Sequence, residues 1–156
     1  MATIFAAATV IHAQKRDDVK PPPETATLAD SQKWFVDTFT RYASYKTRVQ
    51  SVTISSAKFD GCAFTFTQTR KAGSVSTATM GATRTVNTVK DDVSLNLSTL
   101  LPDGIKVSDH IYPELQTLEL KFAGDERIVE IVVKGEASEA FKSALLQIRR
   151  LCIAKD

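Results

Sequence analysis

Histidine is almost missing from this chain, and the shortage closes off most catalytic chemistry at the start. Only His12 and His110 occur in 156 residues, alongside two cysteines, Cys62 and Cys152. A cysteine or serine nucleophile needs a base within hydrogen-bond reach, and His110 is the sole histidine beyond the opening segment. Its neighbour Asp109 does not complete a triad, because adjacent residues of a strand point to opposite faces. Two cysteines and one such histidine also fall short of a four-ligand zinc site. Asp17-Asp18 and Asp91-Asp92 lack the ligand spacing of a calcium loop. Glycine is scarce, at six residues, and none builds a phosphate-cradling loop or a nucleophile elbow. No catalytic residue, metal or cofactor is therefore assigned, and the expectation is a chain that is not an enzyme.

An excess of charge of either sign is missing too. Twenty Lys and Arg against eighteen Asp and Glu leave a net +2, which argues against nucleic acid as a partner. The basic pairs Lys15-Arg16, Arg70-Lys71 and Arg149-Arg150 are scattered and read as solvated surface. Long hydrophobic runs are also absent. The apolar stretch Ile4–Ile11 is far shorter than the ~20 residues that cross a bilayer, so no transmembrane span is expected. Followed by His12-Ala13-Gln14, it reads as a signal-peptide remnant over residues 1–13, although no Lys or Arg precedes it. A disordered apolar tail is the alternative. Residues 14–26 hold Pro21-Pro22-Pro23 and read as an extended linker, since proline fixes φ and removes a donor.

What is present suits one domain over residues 27–156. A hydrophobic fraction of 43% and a charged fraction of 24% are ordinary for a chain that buries a core. "TLADSQKWFVDTFTRYASYKTR" predicts a first helix, opened by Thr27 and Asp30 as a capping box. Leu28, Phe35, Phe39 and Tyr42 share one face, with Trp34 and Tyr45 along its edge. Such an aromatic stripe is more often packed on a sheet. Read functionally, Trp34 and Tyr45 are the candidate ligand or partner surface. From Val49 to Lys134 the apolar period becomes two, as in Val52/Ile54, Phe64/Phe66, Leu118/Leu120/Phe122 and Val129/Ile131/Val133. That predicts six or seven antiparallel strands with one buried face each, the Thr-rich stretch 73–90 being either a ragged strand or a loop. "AGS", "LPDG" and "AGDE" carry turn residues. At Gly61 the pattern predicts a three-residue loop, Phe59-Asp60-Gly61, setting Ile54 opposite Phe66. The closing segment predicts an amphipathic helix, with Phe141, Leu145, Ile148 and Cys152 on one face. The fold class is thus α+β, a helix, an antiparallel meander (curved sheet or barrel) and a C-terminal helix.

Cys62 shares strand parity with Phe64 and Phe66, so it points to the core. Cys152 shares the apolar face of the last helix and points there too. A sheet with one polar face offers that helix only one docking side. This predicts a Cys62–Cys152 disulfide, against the alternative of two buried free thiols.

"TLADSQKWF", then Asp60-Gly61-Cys62, then "VSLNLSTLLPDGIKV", then "IRRLC" resemble, in that order, an uncharacterised secreted domain of environmental bacteria over roughly residues 27–153. The resemblance implies compartment and architecture, with no activity attached. The element order is similar to a pleckstrin-homology-like barrel as well. Lipid-binding versions of that fold use a basic cluster on the first strands, for which only Lys58, Arg70 and Lys71 are available here. The expectation is a non-catalytic binding or accessory domain, secreted or periplasmic, whose partner is a protein or envelope component. A small apolar-ligand carrier is the first alternative and an enzyme the second. A carrier needs an internal apolar pocket; a binding module needs an exposed patch or strand edge.

Overall fold

A computed structural model describes residues 18–78 and 81–155. The first helix, α1 (Leu28–Tyr42), starts where the capping box places it. The Thr27 hydroxyl accepts from the Asp30 N–H at 3.2 Å and donates to the Asp30 carboxylate at 2.9 Å. The helix ends one turn earlier than its aromatic spacing predicts. The Ser44 hydroxyl donates to the Thr40 carbonyl and accepts from the Ile54 N–H, tying the helix end to a strand. Tyr45 therefore lies on a short strand, β1 (Tyr45–Lys46), and not on the helix edge.

Among the described residues seven antiparallel strands follow, as the α+β expectation has it, and they divide into two curved sheets. The first has the order β1, β2 (Gln50–Asp60), β3 (Ala63–Ala78), β4 (Gly81–Asn96). The second runs β5 (Leu100–Asp109), β6 (Leu115–Phe122), β7 (Ile128–Lys134). A 3-10 turn at Leu97–Thr99 separates them, with Leu97 fully buried. The sheets do not close into a barrel among the described residues.

The turn between β2 and β3 departs from the predicted register. Asp60 pairs with Ala63 and Phe59 with Phe64, so the turn is Gly61-Cys62, and Ile54 stands opposite Gln68 instead of Phe66. Gly61 does take the left-handed φ of 58°, as the first central position of a type II′ turn requires. The parity conflict behind the three-residue expectation is real, but it is resolved upstream. A bulge between Ser55 and Lys58, with Ser56 at φ 54°, returns Ile54 and Phe59 to the same face.

The "LPDG" signal is likewise a bulge and not a turn. Leu100 pairs with Phe122 and Ile105 with Leu120, leaving Leu101 to Gly104 opposite a single residue of β6. "AGS" lies inside β3, whose register with β4 runs unbroken from Ala63↔Asn96 to Ala78↔Gly81. Residues 73–78 and 81–90 are strand. β2 accompanies β3 only as far as Gln50↔Ala72, so beyond that row β3 and β4 pair with each other alone.

The second helix, α2 (Ser138–Ile153), packs against α1, the 3-10 turn, β5 and β6. Its predicted face is the buried one: Phe141, Leu145, Ile148 and Cys152 are all at most 2% exposed. Phe35, Phe39, Phe64, Phe66 and Phe141 interlock, Phe35 and Phe64 edge-to-face at 5.0 Å, Phe39 and Phe66 at 4.9 Å. That is the arrangement aromatic quadrupoles favour. Leu118, Leu120 and Val133 complete the core from the second sheet. Residues 18–27, which turn at Glu24-Thr25, are held on the domain. The Val19 N–H donates to the Glu136 carbonyl, the Gln147 amide donates to the Pro23 carbonyl, and Pro22 is buried. Residues 1–13, read as a signal remnant, lie outside the described residues.

Candidate functional site

The two cysteines are brought together. Cys62 sits in the β2–β3 turn and Cys152 in the last turn of α2, with Cα atoms 6.0 Å and sulfurs 2.09 Å apart. The pair sits between sheet and helix and closes a sequence separation of 90. It clamps the end of α2 to the β2–β3 turn of the first sheet.

The two aromatic candidates stand on different elements, and each is packed against the core. Trp34 meets Phe141 edge-on at 6.0 Å. Tyr45 heads a row of directly paired residues, Tyr45, Val52, Arg70 and Val89, across all four strands of the first sheet. Burial raises the Tyr45 phenol above its ordinary value near 10, a shift opposed by the Arg70 charge and a hydrogen bond with Gln50. The basic cluster that a lipid headgroup would need is divided. Arg70 and Lys71 point to opposite faces, and Arg70 is held by Asp91 at 2.7 Å. His110 is occupied locally, its Nδ1 accepting from the Tyr112 N–H and its ring stacked on that of Tyr112. Asp109 accepts from Gln116 across the β5–β6 turn.

The feature that sequence reasoning missed is the edge of β4. Among the described residues this strand pairs with β3 on one side only, and β7 pairs only with β6. Between them lies a cleft of about 530 Å3, bounded by Asp92–Asn96 of β4 and by the hairpin from Phe122 to Val129. Val93, Leu95, Phe122 and Val129 give it apolar walls, and Asp92, Asp125 and Arg127 form its rim. Arg127 donates to both carboxylate oxygens of Asp125 at 3.1 Å, which holds that carboxyl below its usual range. Further back on the same edge, Val86 and Val89 are 63% and 46% exposed. They alternate across the strand, Val86 opposite Gly73 on the polar face and Val89 opposite Arg70 on the core face.

An unpaired strand edge presents a row of N–H and C=O groups that accept another strand. Natural edges are blunted by proline, bulges, charged side chains, covering loops or short length, and of these β4 carries charges at Lys90, Asp91 and Asp92. Over Val86–Asn96, β4 has no proline and no break in register. The signal for it was faint. A strand with polar residues on most positions of both faces lacks the period-two pattern that identifies a half-buried strand.

A second, smaller groove of about 290 Å3 runs between α1 and the β2 bulge, over Val36, Ala57 and Phe59. Beside it, among the described residues, β2 pairs with β3 alone beyond Val52, and that edge is interrupted by the bulge and flanked by α1. No helix among the described residues is long and apolar enough to cross a membrane. The order of helix, antiparallel strands and C-terminal helix is compatible with a pleckstrin-homology-like arrangement, without its closed barrel. Comparison with protein-family models, with characterised proteins and with solved structures finds no match, so the likeness to a secreted bacterial domain rests on the sequence anchors alone.

Proposed function

We propose that this chain is a non-catalytic binding or accessory domain of an oxidising compartment, the bacterial envelope or the extracellular space. Its partner, a protein or other envelope component, docks by adding a strand to the edge of β4. The observation that carries this reading is the open edge itself, lying beside a cleft of mixed apolar and polar lining. Backbone groups along the edge supply affinity, and the cleft supplies a pocket for alternate side chains. The oxidising compartment is supported by the Cys62–Cys152 pair at disulfide distance, since such bonds persist outside the reducing cytosol.

The apolar-carrier reading has less behind it. The space beneath α1 is filled by Phe35, Phe39, Phe64 and Phe66, and the clefts described above lie at the surface. The enzyme reading would need a base beside a nucleophile, and His110 is engaged with its own turn.

The test is capture from an envelope extract by immobilised protein, with Val93→Lys as the control that charges the cleft wall. Circular dichroism verifies that the variant is folded. Capture by the wild type and its loss in the variant support the reading. Equal capture by both would remove the β4 edge from consideration.

A further inference from the structure

We infer that the strand added to β4 is the β4 of a second copy, in a two-fold dimer whose axis passes through Asp91. The inference rests on the reading of β4 as the binding edge and names its occupant.

The two flanks of Asp91 on β4 differ. On one side, Val86–Lys90 is exposed, with two large apolar side chains in water. On the other, Asp92–Asn96 borders an empty-walled cleft lined by Val93, Leu95, Phe122 and Val129. The surplus and the vacancy are on one strand, at equal distances from one residue. A two-fold axis perpendicular to the sheet through Asp91 exchanges them, as an isologous interface requires. Each copy then places its exposed segment along the other's cleft.

The side chains agree with that register. Opposed residues of antiparallel strands share a face, and every pair generated here does so by parity. On the core face Val89 meets Val93 and Asn87 meets Leu95. On the polar face Lys90 meets Asp92, Thr88 meets Ser94 and Val86 meets Asn96. Each of these contacts occurs twice. Lys90 makes no ion pair among the described residues. Asp92 uses Oδ1 to accept from Thr67 at 2.7 Å and has its second oxygen for the incoming ammonium. At the axis two Asp91 carboxylates come together, and each already carries its own Arg70 at 2.7 Å. The centre is therefore two ion pairs side by side and not two bare charges. Shifting the axis by one residue to Lys90 opposes two lysines, and shifting it to Val89 sets Val86 against Asp92. Of these three registers, the one through Asp91 pairs Lys90 with Asp92 and Val89 with Val93, and it leaves Val86 and Leu95 opposite asparagines.

The test is sedimentation equilibrium on the intact chain and on charge variants at exposed positions, with folding checked by circular dichroism. The wild type is expected to show twice the chain mass of 17.1 kDa and to dissociate on dilution. Lys90→Glu alone and Asp92→Lys alone each put like charges opposite one another twice and should weaken the dimer by roughly tenfold or more. The double variant Lys90→Glu, Asp92→Lys restores opposite charges and should recover the wild-type dimer. Rescue by the double variant is a result that a merely structural role for either residue does not produce. A wild type that stays monomeric overturns the inference, as does a dimer indifferent to all three variants. A monomer whose capture of an envelope component is still lost with Val93→Lys overturns the second copy as occupant and leaves the edge reading standing.

Discussion

Ser31 lies fully buried on α1, and its hydroxyl has no hydrogen-bond partner among the described residues. An orphaned buried hydroxyl costs about 1–3 kcal/mol, and alanine is the better helix former. Ser31→Ala is accordingly expected to leave stability unchanged or raise it by up to about 1 kcal/mol, read from urea unfolding midpoints. A loss greater than about 1 kcal/mol would mean that the hydroxyl has a partner after all. Tyr45 gives a pH-dependent test. Its folded pKa is raised by burial above the ordinary 10.0, so its contribution to stability is fully present below that value. The contribution is lost as pH rises through the folded pKa, where the ionised phenol is favoured in the unfolded chain. Melting temperatures measured between about pH 9 and 11 should fall more steeply for the wild type than for Tyr45→Phe. Parallel curves would show that the phenol is solvated in the folded protein.

At the scale of elements, the helices and the interior strands were legible because their physics is local. A capping box, an apolar face of period 3.6 and pairs such as Leu118/Leu120 announce themselves within a few residues. What could not be read was how strand parity is kept over a distance. The Ile54–Phe59 conflict was visible, yet its resolution by a bulge at Ser56 depends on tolerating a left-handed serine, which no composition rule favours. Gly104 shows the same limit. "LPDG" spells a turn, but β5 continues through it, and the glycine is there because the chain crosses β6 closely. A Cβ on Gly104 would lie 2.7 Å from the Lys121 carbonyl oxygen and 2.8 Å from the Leu101 Cβ. Gly104→Ala must therefore displace backbone, and the expected loss is about 1–3 kcal/mol in a denaturant titration. Gly73→Ala, where an added Cβ meets nothing within 4 Å, is the matched control. Equal effects at the two positions would refute the close crossing.

For the whole molecule, the division into two sheets was hidden in the sequence, because Leu97–Thr99 reads as continuous with the strands around it. The convergence of Cys62 and Cys152 was legible, although Cys62 stands in the turn ahead of β3 and not on the strand that its parity argument assumed. A bond between them closes a loop that chain entropy values at roughly 4–5 kcal/mol, a large share of the ~5–15 kcal/mol that holds a domain. A reductant should lower the melting temperature of the intact protein and leave Cys62→Ala, Cys152→Ala unchanged; equal responses would mean two core thiols. The β4 edge, by contrast, is a property of what does not pair, and only the assembled topology exposes it. Its most direct test is hydrogen exchange over Val86–Ser94 as protein concentration rises. The account predicts that every second amide, those turned away from β3, gains protection at high concentration, while the core strands are unaffected. Exchange of these amides that is the same at all concentrations, with no envelope component able to slow it, would contradict the account.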